Sequence, residues 1–531
     1  MRTILILGAG VMQLPAIRAA RRRGLSVIVA DGNPNAVGIP EADEFLPVDL
    51  KDHVAMAEAA ETVRQRRGLD AVFTAGTDFS ATVAYVAERL GLPGTSYESA
   101  LNATDKFRMR RVLREAGVTV PDFTVLDAAT LESEGCRAAQ NQVALPVVVK
   151  PVDSMGARGV VRADSWNEAD RYAREAVRYS RSSRVVIEGY IDGPEFSLDA
   201  VVYGDDIQIT GFADRHIRFP PYFIEVGHTI PTALPGSKQA LVIAQFLRAI
   251  RALGIGPGAA KGDVKLSSEG AVIGEVAARL SGGYMSGWTY PLSSGVPLSE
   301  IGVRVALGEP PPRARNRWNR TSAERAVVSI PGVLLRMEGV EAARSQPGVE
   351  ELFVTRRPGD HLSFPRNNVE KAANIIAVAD SRDDAVDAAE GAVARILPVL
   401  EPGHEETARF LFAEPDHREQ LPPEYRHRAF SITPEPSADL RALYRRQLQA
   451  VVGESASLTL PTALRESSAR DWSYRSIADS ISELERMGLC RVRWSSSPSE
   501  TVNDESRLFT RALLKGGLQG ARYLLESLHR H

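Results

Sequence analysis

The sequence predicts a chain of several domains, in which an α/β domain is followed by α+β domains and a polar C-terminal extension. Strands alternate with helices over residues 1–100, and hairpin-like strands separated by turns dominate residues 101–308. A proline- and arginine-rich stretch at 309–320 then reads as a linker. Because one core rarely grows past about 300 residues, a chain of 531 residues is expected to divide in this way.

The bulk composition is that of an ordinary soluble globular protein, with 44% hydrophobic and 25% charged residues. The net charge of −3 provides no general attraction to nucleic acid or to acidic membranes. Cys136 and Cys490 stand far apart, which excludes a disulfide framework and a cysteine-rich zinc module and favours the cytoplasm. No stretch approaches the roughly 20 apolar residues that span a bilayer, and residues 4–7 are too short for a signal peptide.

The first 100 residues predict a parallel, doubly wound sheet. Strands are expected at residues 3–7, 26–30 and 71–74, with helices at 14–23 and near 81–90.

A glycine-rich turn after the first strand raises the question of a dinucleotide site. Gly8 and Gly10 follow this strand and Asp31 follows the second, as in the fingerprint of NAD-binding domains. Gln13 stands where the third glycine of that fingerprint belongs, so a tight turn is favoured over an NAD site. A small-molecule site at the carboxyl ends of these strands remains open.

Residues 101–308 predict antiparallel strands that carry a phosphate site. Lys150 ends an apolar strand, and Gly156 and Gly159 in the segment 153–159 allow backbone amides to close over phosphate oxygens. A snorkelling lysine beside a plain hairpin turn is the alternative for these features taken singly. The strands are expected at residues 147–150, 185–188, 196–202, 208–212, 261–266 and 272–277.

A strand end at Glu188, Gly189 and Tyr190 is followed by a turn and a second strand. Backbone groups at such an end are suited to pairing with adenine. The second strand places Glu195 and its alternate neighbours on one face, where a carboxylate is suited to accepting hydrogen bonds from ribose hydroxyls. A surface hairpin with outward polar residues is the alternative.

The most specific pattern is a hairpin in which Asp263 falls opposite Glu275. We expect a three-residue loop that pairs Ser267 with Ala271 and has Gly270 in the left-handed conformation. Carboxylates so placed repel each other, so without a metal one of them is expected to take up a proton more readily. Oxygen ligands at that separation suit Mg²⁺, and Arg279 is expected on the same strand face.

In these motifs and their order, residues 1–400 resemble the ATP-grasp superfamily, most closely its carboxylate–amine ligase branch, with bacterial amino-acid ligases and carbamoyl-phosphate synthetase as relatives. The resemblance implies a Rossmann-like pre-ATP-grasp domain at 1–100, an ATP-grasp core at 101–308 with a lid at about 117–190, and a small α+β unit at 321–400. It implies ATP with Mg²⁺ or Mn²⁺ as cofactors. The nucleotide positions it implies are Lys106, Lys150, Ser154, Gly156, Gly159, Glu188, Gly189, Tyr190 and Glu195.

The same resemblance implies the reacting groups. Asp263 and Glu275 resemble the paired metal ligands, Arg279 the arginine beside the transferred phosphate, and His228 a Gly-His…Pro element near the reacting centre. Lys150 is expected to share in catalysis. Ala277 stands where the family often has an asparagine, so the number of metal ions is open, and Arg215 replaces a common lysine.

Residues 401–531 have no counterpart in this resemblance. Helices are expected at 439–451 and 474–487, and strands at 491–494 and 508–512, an arrangement similar to a winged helix. Acidic residues are interspersed with the basic ones in this segment and offset their positive charge. Nucleic-acid binding is therefore disfavoured, and a structural or partner-binding role is expected.

The expected activity is activation of a small-molecule carboxylate as an acyl phosphate, followed by transfer to an amine or another nucleophile. A bicarbonate-activating, carboxylase-type enzyme is the alternative, and a nucleic-acid- or partner-binding role of the C-terminal extension is the alternative of another class. No membrane association is expected, and a homodimer is left open. No motif identifies the carboxylate or its acceptor.

Overall fold

Two structural units divide the chain in the computed structural model, which describes residues 1–413, 421–431, 440–448, 455–496 and 503–529. None of the helices within these ranges combines the length and apolar character needed to cross a bilayer. The first unit contains residues 1–220, 227–323 and 378–382, and the second contains 221–226, 324–377 and 383–531.

A parallel sheet of four strands forms the N-terminal part of the first unit. Its elements are β1 (Thr3–Leu7), α1 (Leu14–Arg22), β2 (Ser26–Ala30), β3 (Glu44–Leu46), α2 (His53–Arg67), β4 (Ala71–Phe73), α3 (Ser80–Arg89) and α4 (Tyr97–Thr104). The strand order is β3-β2-β1-β4. Ile4 and Ile6 enter one hydrophobic cluster while Leu5 and Leu7 enter another, because both faces of a parallel sheet are covered. The expected strands and helices of this region are confirmed.

The glycine-rich turn after β1 is filled by its own side chains. Gln13 accepts a hydrogen bond from the amide of Gly10 at 3.0 Å and donates to the carbonyl of Ala75 at 2.5 Å. A Cβ at Gly8 would lie 3.0 Å from the Gln13 side chain. Asp31 accepts from the amide of Ala9 at 2.8 Å. The groups that would approach a pyrophosphate are therefore engaged within the turn.

A small antiparallel sheet with its own helices covers residues 106–189. Its elements are α5 (Lys106–Glu115), β5 (Phe123–Asp127), α6 (Ala128–Ser133), β6 (Val147–Pro151), β7 (Val161–Ala163), α7 (Trp166–Ala176) and β8 (Arg184–Gly189). The strand order is β5-β8-β6-β7. The strands expected at 147–150 and 185–188 are confirmed.

A second antiparallel sheet provides the face on which the candidate site lies. Its elements and neighbours are β9 (Glu195–Tyr203), β10 (Asp206–Arg218), β11 (Ile224–Ile230), α8 (Gly236–Leu253), β12 (Gly258–Ser267), β13 (Gly270–Ala277), α9 (Tyr290–Ser294) and α10 (Leu298–Ala306). The order β13-β12-β9-β10 confirms the four strands predicted here. Phe196 and Leu198 pack with Phe246 of α8 on one face. Because side chains alternate along a strand, the intervening residues of β9 point to the opposite face.

The remaining elements lie mostly in the second unit. They are β14 (Thr321–Val327), β15 (Gly332–Glu338), α11 (Val340–Arg344), β16 (Val349–Val354), β17 (His361–Leu362), β18 (Ala373–Ala379), α12 (Arg382–Val393), β19 (Leu397–Leu400), α13 (Glu405–Phe412), α14 (Leu440–Leu448), β20 (Ala456–Pro461), α15 (Thr462–Arg465), α16 (Ile477–Arg486), β21 (Cys490–Ser495) and α17 (Asp504–His529). In this unit β15 pairs with β17 and β19, and β16 pairs with β18.

The winged-helix expectation for the C-terminal extension is wrong in one decisive element. Residues 508–512 are not a strand but part of α17, a helix that is buried on several sides, with Leu508, Phe509 and Ala512 among its buried residues. The helix at 474–487 is confirmed as α16 and the strand at 491–494 as β21, which pairs in parallel with β20. The helix expected at 439–451 is found as α14 over Leu440–Leu448, and its other residues lie outside the described ranges.

Candidate active site

One face of the β13-β12-β9-β10 sheet gathers three of the carboxylates predicted for the site, Glu195, Asp263 and Glu275, together with further charged side chains. Register places these side chains side by side, since partners across paired strands share a face. The pairs are Glu195 with Lys265 and Arg215, Ser197 with Asp263, Asp199 with Lys261, and Asp263 with Glu275.

The predicted opposition of Asp263 and Glu275 is confirmed, although the expected turn is wrong. Ser267 pairs with Gly270 rather than Ala271, so the loop has two residues instead of three. A β-bulge between Asp263 and its neighbour Val264 leaves Gly274 without a partner and restores the expected register. The freed carbonyl of Gly274 accepts a hydrogen bond from Nη2 of Arg110 at 2.6 Å.

Cations surround both carboxylates of this hairpin. Oδ2 of Asp263 contacts the ammonium of Lys261 and lies 2.9 Å from Nη1 of Arg215. Oε1 of Glu275 lies 3.4 Å from Nζ of Lys106. Burial opposes the ionisation of Glu275, but Lys106 and Lys261 outweigh it and hold the pKa of this carboxyl well below its usual value. Glu275 is therefore not the carboxylate of the pair that takes up a proton more readily, because the flanking cations outweigh the repulsion from Asp263.

The hairpin retains oxygen atoms that fit a divalent cation. Oδ1 of Asp263 is buried and has no hydrogen-bond partner among the described residues. The Glu275 side chain is partly buried, and its exposed fraction of 38% leaves it accessible to a ligand. The described residues contain no cluster of three or more histidines, cysteines or carboxylates suited to a metal ion. Two protein ligands, completed by phosphate oxygens and water, are the arrangement that Mg²⁺ commonly adopts.

A buried ion network joins the small sheet to this hairpin. Glu188 on β8 is 2% exposed and accepts from Nε of Arg110 at 2.7 Å and from Nζ of Lys150 at 2.7 Å. Burial opposes its ionisation, but Arg110 and then Lys150 prevail and lower the pKa of Glu188 to about 2. Arg110 also binds Gly274, so one guanidinium holds both the Glu188 carboxylate and the bulge.

The strand end expected to bind adenine is partly occupied by the chain itself. The amide of Gly189 donates to the carbonyl of Asp122 at 2.9 Å, and that of Tyr190 donates to Pro146 at 2.9 Å. The carboxylate of Glu188 is engaged by its two cations. Adenine recognition by those two amides is therefore excluded in this conformation, and the carbonyl groups and the Tyr190 ring remain as candidate contacts.

Three residues of the glycine-rich segment after Lys150 have left-handed backbone conformations. Gly156, Ala157 and Gly159 have φ angles of 66°, 60° and 69°, so their amides turn away from an extended path. The carbonyl of Ser154 accepts from Nζ of Lys106 at 2.7 Å. Two of the predicted lysines, Lys106 and Lys150, thus stand at the base of this segment.

Arg279 lies two residues beyond the end of β13. Its Nη1 donates to the carbonyl of Leu280 at 3.0 Å, and its charge lowers the pKa of Glu275. The adjacent Ser281 donates through its amide to Oδ1 of Asp199 at 3.1 Å and through its hydroxyl to Oδ2 at 2.5 Å. Asp199 therefore ties the segment that carries Arg279 to β9.

Complete burial sets Asp199 apart from the other carboxylates of this face. Its exposure is 0%, and burial raises the pKa of this carboxyl to about 7 despite the Ser281 hydrogen bonds. The neighbouring Tyr290 donates its hydroxyl to the carbonyl of Ser197 at 2.9 Å. Asp199 is therefore a buried carboxyl with a pKa near neutrality on the same sheet face as the ionised side chains.

His228 and Glu195 occupy positions that differ from their expected roles. His228 lies on β11 with 0% exposure, which keeps it from direct contact with a substrate in this conformation. Glu195 contacts the guanidinium of Arg215, so its carboxylate is already paired. Their roles in catalysis and ribose binding stay predictions.

Three comparisons place this geometry in a family. A model of the ATP-grasp domain matches residues 103–283, one of the ATP-grasp N-terminal domain matches 17–94, and one of the L-amino acid ligase C-terminal domain 2 matches 326–401. A D-alanine–D-alanine ligase from Desulforudis audaxviator is 31% identical over 250 residues, which are 44% of this chain and 76% of the ligase. The chain belongs to the ATP-grasp superfamily, in its carboxylate–amine ligase branch.

Two further relatives share parts of this ATP-grasp chain. The L-amino acid ligase from Bacillus licheniformis superposes with a TM-score of 0.65 at 22% identity, covering 76% of this chain and 99% of that ligase. Carnosine synthase 1 from Gallus gallus is 28% identical over 331 residues. The match covers 58% of this chain but only 36% of that synthase.

The ATP-grasp site contains residues that the sequence analysis did not single out. Arg110 is fully buried on α5, one helical turn after Lys106, and both lie on the buried face of that helix. Two cations four residues apart on an otherwise apolar face were the available signal, because buried cations require partners. Lys261 had no comparable signal, since only strand pairing brings it beside Asp199, whose place on the face of Glu195 the alternation along β9 predicted.

Proposed function

We propose that this chain is a ligase that uses ATP to convert a small-molecule carboxylate into an acyl phosphate, which an amine then attacks. The observation that carries the proposal is the single sheet face on which Asp263 and Glu275 oppose each other beside Lys106. Lys150 and the glycine-rich segment adjoin this face. Such an arrangement suits phosphoryl transfer, which depends mainly on positioning and on neutralising charge.

Each residue has a distinct task in this proposal. Asp263 and Glu275 would hold Mg²⁺ or Mn²⁺, and the bound ion would neutralise the charge of the β and γ phosphates. Lys106 and Lys150 present ammonium groups to the phosphates, and segment 153–159 excludes water that would hydrolyse the acyl phosphate. Arg279 holds the transferred phosphoryl group. The nucleotide lies against Gly189, Tyr190 and Glu195.

The substrates are proposed from the relatives. The names L-amino acid ligase, D-alanine–D-alanine ligase and carnosine synthase support an amino acid as at least one of the two reactants. The chain spans only 36% of the length of carnosine synthase, so that resemblance is limited to the shared part. We place the reaction in the cytoplasm, where the buried thiols of Cys136 and Cys490 remain reduced. Light scattering of the full chain tests for a homodimer.

Trapping the acyl phosphate tests the proposal. Pools of amino acids are incubated with Mg-ATP and hydroxylamine, which converts an acyl phosphate to a hydroxamate. We expect a hydroxamate and ADP that both depend on one organic acid. ADP release that depends on bicarbonate and needs no organic acid would instead favour the carboxylase-type alternative, and no acid-dependent ADP release from any pool would contradict the proposal.

A further inference from the structure

A cavity in the second unit lies outside the candidate active site. Its volume is about 790 Å³, which is within the range of small-molecule sites. Residues of β15, β19, α16 and α17 line it. Every lining residue belongs to the second unit.

The walls of this cavity combine apolar surface with paired charges. Leu397, Leu489 and Leu518 form part of the apolar lining. Arg522, whose side chain is 8% exposed, lies 2.5 Å from Glu338 and 2.9 Å from Glu526. Glu338 also lies 2.7 Å from Arg336, so the two arginines and two glutamates balance in charge and provide no preference for a charged ligand.

Arg475 differs from the other arginines at the cavity wall. Its guanidinium makes one weak contact, from Nη2 to the carbonyl of Ile396 at 3.4 Å. No carboxylate of the described residues lies within ion-pair distance of it. Burial lowers the pKa of Arg475, although Asp471 opposes that effect. A half-buried guanidinium without a carboxylate partner is a strong site for an anion, because guanidinium binds carboxylate through two parallel hydrogen bonds.

We propose that this cavity binds a small organic carboxylate with an apolar body, whose carboxylate pairs with Arg475 and whose chain lies against Leu397, Leu489 and Leu518. An apolar wall favours a ligand with an apolar body over a free inorganic anion. Arg522 and Arg486 are paired with carboxylates, and Arg395 is exposed and donates to Gln346 at 2.7 Å, so Arg475 is the half-buried cation that can anchor the ligand. The proposal does not depend on the ligase reaction.

Calorimetric titration of the full chain with butanoate, hexanoate and octanoate tests the site. Each added CH₂ should tighten binding about fourfold, so octanoate should bind more than 100-fold more tightly than butanoate. Arg475→Gln should weaken octanoate binding about 10- to 100-fold. Arg486→Gln is the matched control, because that cavity residue is 72% exposed and pairs with Glu483, and it should bind octanoate as the wild type does.

Several results would overturn the proposal. They are the absence of saturable octanoate binding up to about 10 mM, an affinity that does not change with chain length, and equal affinities of the wild type and Arg475→Gln. The last result would also place the carboxylate elsewhere, including at the ATP-grasp site. If Arg475→Gln does not fold, Ala342→Trp narrows the cavity from an exposed lining position and should weaken octanoate binding, and an unchanged affinity would reject the site.

Discussion

Asp263 and Glu275 lie directly opposite each other on β12 and β13, and the bulge at Gly274 brings them together. In the register that the two-residue turn sets, Asp263 would face Gly274. The extra residue moves Asp263 to Glu275, and Arg110 binds the Gly274 carbonyl that the bulge exposes. Arg110 therefore links the proposed metal-binding pair to its own buried ion pair with Glu188.

The first prediction concerns Glu275. Glu275→Gln should abolish turnover and the Mg-ATP-dependent rise in melting temperature, because a charged oxygen ligand is lost. The melting temperature of the ligand-free variant should fall rather than rise, since Lys106 and Lys261 favour the ionised carboxylate. Thermal unfolding with and without Mg-ATP measures both effects. Glu269→Gln, in the turn of the same hairpin, should behave as the wild type, and an unchanged Mg-ATP effect in Glu275→Gln would exclude the metal site.

The second prediction concerns the buried ion pair. Arg110→Met should reduce the free energy of unfolding by about 3–5 kcal/mol, because Glu188 remains buried with only Lys150 as a partner. The double variant Arg110→Met/Glu188→Met should be more stable than Arg110→Met alone. Chemical denaturation of both variants measures the difference. Arg111→Met, the 60% exposed neighbour, should change stability little, and a cost as large as that of Arg110→Met would show that the pair is not the cause.

The third prediction concerns the pH dependence of stability at Asp199. Its folded pKa is about 7 against an ordinary value of 3.8, so between these values the folded protein keeps a proton that the unfolded chain has lost. The stability that the folded protein owes to a protonated Asp199 is fully present below pH 3.8 and is lost as the pH rises through 7. The melting temperature of Asp199→Asn relative to the wild type should therefore increase from pH 4 to pH 8. Asp205→Asn, in an exposed turn, should show no such trend, and a flat difference for Asp199→Asn would contradict the assignment.

The fourth prediction concerns the two lysines at the glycine-rich segment. Lys106→Met and Lys150→Met should each lower ATP turnover by about 100-fold or more, since each removes a charge that stabilises the transferring phosphoryl group. Lys150→Met should remain folded because Arg110 still binds Glu188. Phosphate release is measured beside Lys238→Met, an exposed lysine on α8, which should retain full turnover. Normal turnover of Lys150→Met would reject its role.

The fifth prediction concerns the glycine-rich turn after β1. Asp31 and Gln13 accept hydrogen bonds from the amides of Ala9 and Gly10, and the Gln13 side chain fills the space beside Gly8. A dinucleotide pyrophosphate would need both the amides and that space, so NAD and NADP should show no saturable binding. Calorimetric titration measures this directly. Micromolar affinity for either nucleotide would mean that the turn opens.

Local sequence patterns were sufficient to predict the alternation of elements in residues 1–100, six strands of the antiparallel sheets and the superfamily, but not β5. These follow from local patterns, such as Thr3–Leu7 beside Gly8, or Asp263 and Glu275 at matching distances from one turn. Periodicity and turn residues act over a few positions, so they can be read along the chain.

Tertiary structure decided what depends on distant partners. Three features arise only when separate strands and helices meet. They are the excess of cations around Glu275, the raised pKa of the Asp199 carboxyl, and the pairing of Arg110 with Glu188. The strand expected at 508–512 became part of α17 because burial on several sides favoured a helix over an alternating pattern. Electrostatic free energies are set by burial and by neighbours in space, and neither is encoded in local spacing.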